Sequence, residues 1–278
     1  MSNQHYQHQQ QQPQNQYPLG VINQQPPYPP APIGINTSYP PNPNTIIYAP
    51  APPSSNPNIP PGLEYLTVVD QLLIEQKVEM LEVFTGWETN NKYAIRNVMG
   101  QNVYFAVEEN DCCTRQFCGA ARSFDMKIMD NFRKEIISIR RPFRCNSCLT
   151  PCCNQNLEVY SINGQLLGSV DQDWSICAPK FSVKDAAGET VLKIDGPICT
   201  FSCGSDVVFH VKTLDKETKV GKITKQWSGL AREMFTDADF FGVTFPMDLD
   251  VQIKAVLMAT TFLIDFMFFE DKNNNNNN

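Results

Sequence analysis

The run Val251–Phe269, VQIKAVLMATTFLIDFMFF, has no polar face and constrains the fold more than any other feature of the chain. A helix of that length reaches about 28 Å, close to the roughly 30 Å hydrocarbon core of a bilayer. Such a helix has two homes: it crosses a membrane, or protein encloses it on every side. Lys254 and Asp265 lie inside the run. A carboxylate near mid-membrane costs roughly 2.5–3.5 kcal/mol even on insertion scales. Both homes stay open on physical grounds, and the enclosed helix is slightly favoured because Asp265 could meet a protein partner there.

The rest of the ordered sequence supplies an enclosure. From residue 92 onward the apolar period is two, and turn signals recur at short intervals. Residues 92–98 and 101–107 flank Met99-Gly100, and 124–129 and 135–140 flank Asp130-Asn131-Phe132. Leu157–Ile162 and Gln165–Val170 flank Asn163-Gly164, the strongest short hairpin signal. Residues 180–184 pair with 190–194, and 206–212 with 219–226, which gives about ten to twelve antiparallel strands, enough for a barrel or sandwich. A first helix is predicted over Leu66–Leu81, where Val69, Leu72, Leu73, Gln76 and Met80 trace a helical stripe.

Charge and composition bound the ends and exclude several classes. Residues 1–62 hold 16 of the 21 prolines and no charged side chain precedes Glu64, so this Gln/Asn/Pro/Tyr-rich tail is expected to be disordered. The ordered domain is expected over 63–272, followed by a poly-Asn tail at 273–278. PxxP spacing such as Pro40 to Pro43 suits SH3-like grooves, and a solvated spacer is the plainer reading. A net charge of −7 argues against a broad nucleic-acid grip. No phosphate-binding loop, HExxH or GxSxG is present, and His210 is the one histidine of the ordered region, so enzyme readings are poor. The N-terminus lacks a secretory signal pattern, and reduced cysteines are therefore expected.

Two segments carry chemistry. Asp237–Asp248, DADFFGVTFPMD, has carboxylates at loop positions 1, 3 and 12 with Gly242 at position 6, which echoes an EF-hand calcium loop. Phe241 stands at position 5, and Pro246 denies the loop a helical frame, so any calcium binding is expected to be weak, about 10⁻⁴–10⁻³ M. The alternative is an acidic turn joined to a strand, since Phe241, Val243 and Phe245 alternate. Downstream of Arg140, Arg141 and Arg144 come Cys145, Cys148, Cys152 and Cys153. Clustered cysteines beside a basic patch suit S-acylation, which needs more than one chain for stable anchoring. Zinc ligation and burial as small hydrophobes are the other two readings.

The stretches PPGLEYL (60–66), ETNNKYAIRN (88–97), DCCTRQFCG (111–119), RPFRCNSC (141–148), DADFFGVTFPMDLD (237–250) and FLIDFMFFE (262–270) closely resemble the phospholipid scramblase family. That resemblance spans roughly residues 60–270. It implies a Tubby-like fold, a closed twelve-stranded antiparallel barrel around the apolar C-terminal helix. It implies Ca²⁺-stimulated, ATP-independent movement of phospholipids between leaflets at the cytoplasmic face of the plasma membrane, without covalent chemistry. The family's calcium motif falls on Asp237, Asp239, Phe241, Val243, Phe245 and Asp248. Its acylated run falls on 148–153, where Leu149 and Thr150 replace two cysteines, so palmitate is expected on Cys145, Cys148, Cys152 and Cys153 in a weaker anchor. The alternative function is a membrane-tethered, lipid-binding adaptor whose Pro/Tyr-rich tail recruits signalling partners. Homo-oligomers fit either reading.

Overall fold

Tight turns set the rhythm of the fold. Gly100, Gly164 and Gly188 adopt φ of 75°, 75° and 83°, a region closed to most L-residues, and each reverses the chain between adjacent strands. The computed structural model describes residues 46–50, 52, 59–76, 91–109, 123–144, 154–198, 200, 206–215, 218–226 and 240–269. In them the chain forms β1 (Gln71–Gln76), β2 (Lys92–Arg96), β3 (Asn102–Glu109), β4 (Phe124–Met129), β5 (Glu135–Arg141) and β6 (Asn156–Ser161). It continues through β7 (Leu166–Asp173), β8 (Lys180–Asp185), β9 (Thr190–Asp195), β10 (Val207–Lys212), β11 (Lys219–Gln226) and β12 (Phe240–Thr244). Helix α1 (Val251–Phe268) ends the described chain.

Every strand pairs antiparallel with its sequence neighbour, and β1 pairs with β12 to close the barrel. Closure removes the exposed edges that an open sheet of this length would present. The expected hairpins are all present, within one to three residues at their ends. Inward positions such as Ile137 and Ile139, Leu157 and Val159, and Phe209 and Val211 are fully buried and alternate with less buried neighbours.

Those inward residues pack on α1, whose residues Ile253–Phe266 are buried without a break. This settles the two homes of the apolar run in favour of enclosure. A helix with no polar face needs apolar contact all round, and the barrel supplies it. Asp250 caps the helix by accepting from the amides of Gln252 and Ile253 at 2.9 and 3.2 Å. Inside, the hydroxyl of Thr260 donates to the Val256 carbonyl at 2.7 Å, which keeps a polar group satisfied in the core. Gly168 of β7 lets the helix approach, because a Cβ there would lie 2.9 Å from Val256 Cγ2 and against the Lys184 carbonyl.

Two expectations need correction. The helix predicted over Leu66–Leu81 is a short 3-10 turn, Glu64–Thr67, followed by β1, while residues 77–81 lie outside the described residues. Leu72 and Ile74 face the core with period two, and β1 gains ladder bonds from both β12 and β2. Pairing on two sides outweighs the helical stripe of a short segment. The tail expected over 1–62 also gives way early. Asn102 exchanges backbone hydrogen bonds with Ile47 and Ala49 at 2.7 and 2.8 Å, and Tyr48 packs edge-on to Phe105. Gly62 takes φ 91° against Ile136 and accepts from the Tyr104 hydroxyl at 2.9 Å, so Ile47, Tyr48, Ala49 and Gly62 already contact the barrel.

Alternating strand directions divide the connections between two rims. The tight-turn rim carries 97–101, 130–134, 162–165, 186–189 and 213–218, together with the passage from β12 into α1. From the opposite rim run the connections β1–β2, β3–β4, β5–β6, β7–β8, β9–β10 and β11–β12.

Candidate functional site

The polar residues of the apolar run find partners at opposite ends of the barrel. Lys254 is fully buried near the start of α1, and its ammonium donates to the carbonyls of Leu66, Val69 and Met247 at 2.9, 2.9 and 2.7 Å. It also lies 5.2 Å from the Phe245 ring centroid. Burial pulls this ammonium below the usual lysine range, and the Asp70 and Asp248 carboxylates oppose that shift. Lys254 thus ties the helix to the 3-10 turn before β1 and to the loop after β12.

Asp265, one turn from the other end, accepts from the Tyr93 hydroxyl of β2 at 3.0 Å. Around that end the core turns aromatic: Tyr93 packs on Phe262, Phe124 on Phe266, and Phe241 on Phe269. Two cations are buried among these rings. Lys225 Nζ lies 4.4 Å from the Phe241 centroid, and Arg141 stands 5.7 Å over Phe124 while donating twice to the side-chain carbonyl of Gln155. Residue spacing held no sign of Tyr93 as the partner of Asp265 or of Lys225 as a buried cation, and Arg141, expected in a basic patch with Arg140 and Arg144, is instead buried. Their only signal was a charged or hydroxylated residue at an inward strand position.

The acidic segment is divided by β12. Phe241 and Val243 are strand residues with buried side chains, each in register with residues on both β1 and β11. Their main-chain groups therefore serve the barrel. The five residues of β12 extend over roughly 16 Å, whereas an EF-hand loop curls around one ion. Phe245 is buried just beyond, its amide donating to the Asp70 carbonyl at 2.9 Å. Asp248 is exposed in the turn at the tight-turn rim. Asp237 and Asp239 lie outside the described residues, in the stretch that joins β11 to β12. The described positions do not fit a single wrapped calcium loop. Among the described residues no group of three or more His, Cys, Asp and Glu is placed to hold a metal.

Cys145, Cys148, Cys152 and Cys153 also lie outside the described residues, as does the Pro40–Pro43 segment. His210 sits on β10 with its ring nitrogen 3.3 Å from Lys219 Nζ. Burial first, then Lys219, Lys212 and Lys222, hold its imidazole below the usual range.

A closed antiparallel barrel filled by one C-terminal helix is the fold that the sequence resemblance implied. The Scramblase family model matches residues 49–271. This chain belongs to the scramblase family. Phospholipid scramblase 1 of Mus musculus is 55% identical over 223 residues, covering 80% of this chain and 68% of that protein. Phospholipid scramblase 1 of Homo sapiens is 54% identical over 222 residues, covering 80% and 69%. Phospholipid scramblase family member 5 of Homo sapiens is 48% identical, covering 80% and 82%. The chain therefore spans about two-thirds of the first two of these relatives. A solved Arabidopsis thaliana protein is similar at 10% identity with a TM-score of 0.37, over 70% of this chain and 91% of that one. The scramblase match begins at Ala49, beside the Tyr48–Asn102 bridge that opens the ordered structure.

Proposed function

We propose that this chain moves phospholipids between the leaflets of a membrane, stimulated by Ca²⁺ and independent of ATP. The observation that carries the reading is the scramblase match over most of the chain. The packed interior limits how it works. Fully buried side chains from the strands and from α1 fill the bore, so headgroups have no path through the barrel. The lipid path lies outside it, at the boundary between protein and bilayer, where local disorder lets headgroups cross down their gradient. No residue performs covalent chemistry in this scheme.

Calcium acts on carboxylates rather than through a wrapped loop: Asp248 beyond one end of β12, and Asp237 and Asp239 before the other. Neutralising Asp237 and Asp239, which precede β12, reduces repulsion from an anionic leaflet. Palmitate on Cys145, Cys148, Cys152 and Cys153 anchors the chain at the cytoplasmic face of the plasma membrane, and self-association and SH3-like partners of the Pro-rich tail belong to the same proposal. The test is fluorescent-lipid scrambling by the purified full chain in vesicles without ATP, with and without Ca²⁺. Wild type is expected to accelerate scrambling when Ca²⁺ is added, and Asp237→Ala with Asp239→Ala to lose most of that response. Scrambling unchanged by Ca²⁺ would remove the calcium part.

The rival reading is a membrane-tethered adaptor that binds lipid headgroups. What favours it is the enclosure of α1, the one helix among the described residues long and apolar enough to cross a membrane. Vesicle binding without scrambling would make it the better account.

A further inference from the structure

We propose that the rim around Trp174, Ile176 and Ile198, opposite the tight turns, is the surface that seats on an anionic bilayer leaflet. This rests on the membrane function above and names the face that meets the lipid. Trp174 is 52% exposed, Ile176 80%, Ile198 81% and Phe143 57%. These residues lie in connections rather than in strands, so the alternating pattern of the barrel gives no reason for them to be apolar.

The connections that carry them are held together. The amide of Gly196 donates to the Pro179 carbonyl at 2.8 Å, joining 174–179 to 196–198. Gln155 and Gln172 bond each other twice, at 2.8 and 3.0 Å, and the Gln155 side chain donates to the Arg144 carbonyl at 3.3 Å, which adds 142–144. Exposed tryptophan and isoleucine on connections held together in this way are what a membrane interface takes up, with tryptophan at headgroup level.

Among the described residues, charge favours this rim. Arg140, Arg144 and Lys180 border the patch. Nearby Asp171, Asp173 and Asp195 are paired with Lys184, Lys193 and Lys212 at 2.7, 2.9 and 2.6 Å, and Asp125 lies 3.5 Å from Arg140, while Asp206 is exposed. The tight-turn rim also exposes apolar tips, Met99 and Phe132 among them, and there the exposed carboxylates of Asp70, Glu189, Asp215, Asp248 and Asp250 outnumber the exposed cations Arg133, Lys134 and Lys219. An anionic leaflet repels that rim. Cys177, exposed and not in a disulfide, stands beside Ile176. In sequence the nine other cysteines also fall between strands joined at this rim: 112, 113 and 118 between β3 and β4, 145–153 between β5 and β6, and 199 and 203 between β9 and β10.

The test uses the unacylated full chain and flotation with vesicles of phosphatidylcholine and phosphatidylserine. Ile176→Glu with Ile198→Glu is expected to weaken binding at least about tenfold, because charge replaces inserted apolar surface. Met99→Glu with Phe132→Glu, both well exposed on the other rim, is expected to leave it unchanged. In a Trp87→Phe/Trp227→Phe background, which leaves Trp174 as the one tryptophan, bromine-labelled lipid should quench the fluorescence. If both pairs bind like wild type, or only the Met99/Phe132 pair weakens, the assignment is overturned. Scrambling measured in parallel separates the two proposals. Scrambling that persists when the rim variants bind normally refutes the rim alone; the expected binding pattern without scrambling supports the rim and refutes the function.

Discussion

Lys254 shows how a single residue holds this molecule together. Its ammonium is out of water and shared among three carbonyls from two segments that precede and follow the barrel strands. Lys254→Met would keep the stem and leave those buried acceptors without their donor. A loss of roughly 2–4 kcal/mol is expected, seen as a lower denaturant midpoint at an unchanged slope. Tyr93→Phe removes the hydroxyl that donates to the Asp265 carboxylate, with an expected cost of about 1.5–3 kcal/mol in the same measurement. His210 gives the fold a small acid sensitivity. Its folded pKa is lowered, so the unfolded chain binds the proton more readily, and stability is lost as pH falls from the unfolded value toward the folded one. His210→Gln should flatten the dependence of thermal midpoint on pH between about 7 and 5.5; an unchanged slope would assign it to other groups.

Among the elements, the helix and its neighbour β7 meet at Gly168, where a methyl group would press on both Val256 and the β8 backbone. Gly168→Ala is expected to cost roughly 1–3 kcal/mol, measured by chemical unfolding, because neither neighbour can yield freely. The hairpins were legible in the sequence because turn residues and period two act locally: Asn163-Gly164 and Asp130-Asn131-Phe132 mark their own reversals. β1 was not legible. Its six residues become a strand through pairing with β12, more than 160 positions away, and nothing within QLLIEQ reports that partner. Lys254 and Asp265 stood out as polar residues in an apolar run, but the Tyr93 and Leu66 groups they engage lie 172 and 188 positions away. The acidic segment left loop and strand both open, and the strand prevails over Phe240–Thr244.

For the whole molecule, the filled bore governs what the protein can do. Phe262 of α1 is buried against Tyr93, and Phe262→Ala is expected to destabilise the barrel by roughly 3–5 kcal/mol through the cavity it leaves. A barrel so dependent on its helix does not offer α1 to a bilayer without large loss, and the proposed function accordingly keeps lipid outside the bore. Whether this barrel itself moves lipid is tested most directly by dithionite bleaching of vesicles that carry labelled phospholipid in both leaflets, reconstituted with the purified full chain and no nucleotide. Protein-free vesicles lose only their outer-leaflet signal. With Ca²⁺ present, the scramblase account predicts that bleaching proceeds through the inner-leaflet pool as well. A trace that stops where the protein-free vesicles stop, with folded protein bound to the same vesicles, would contradict it.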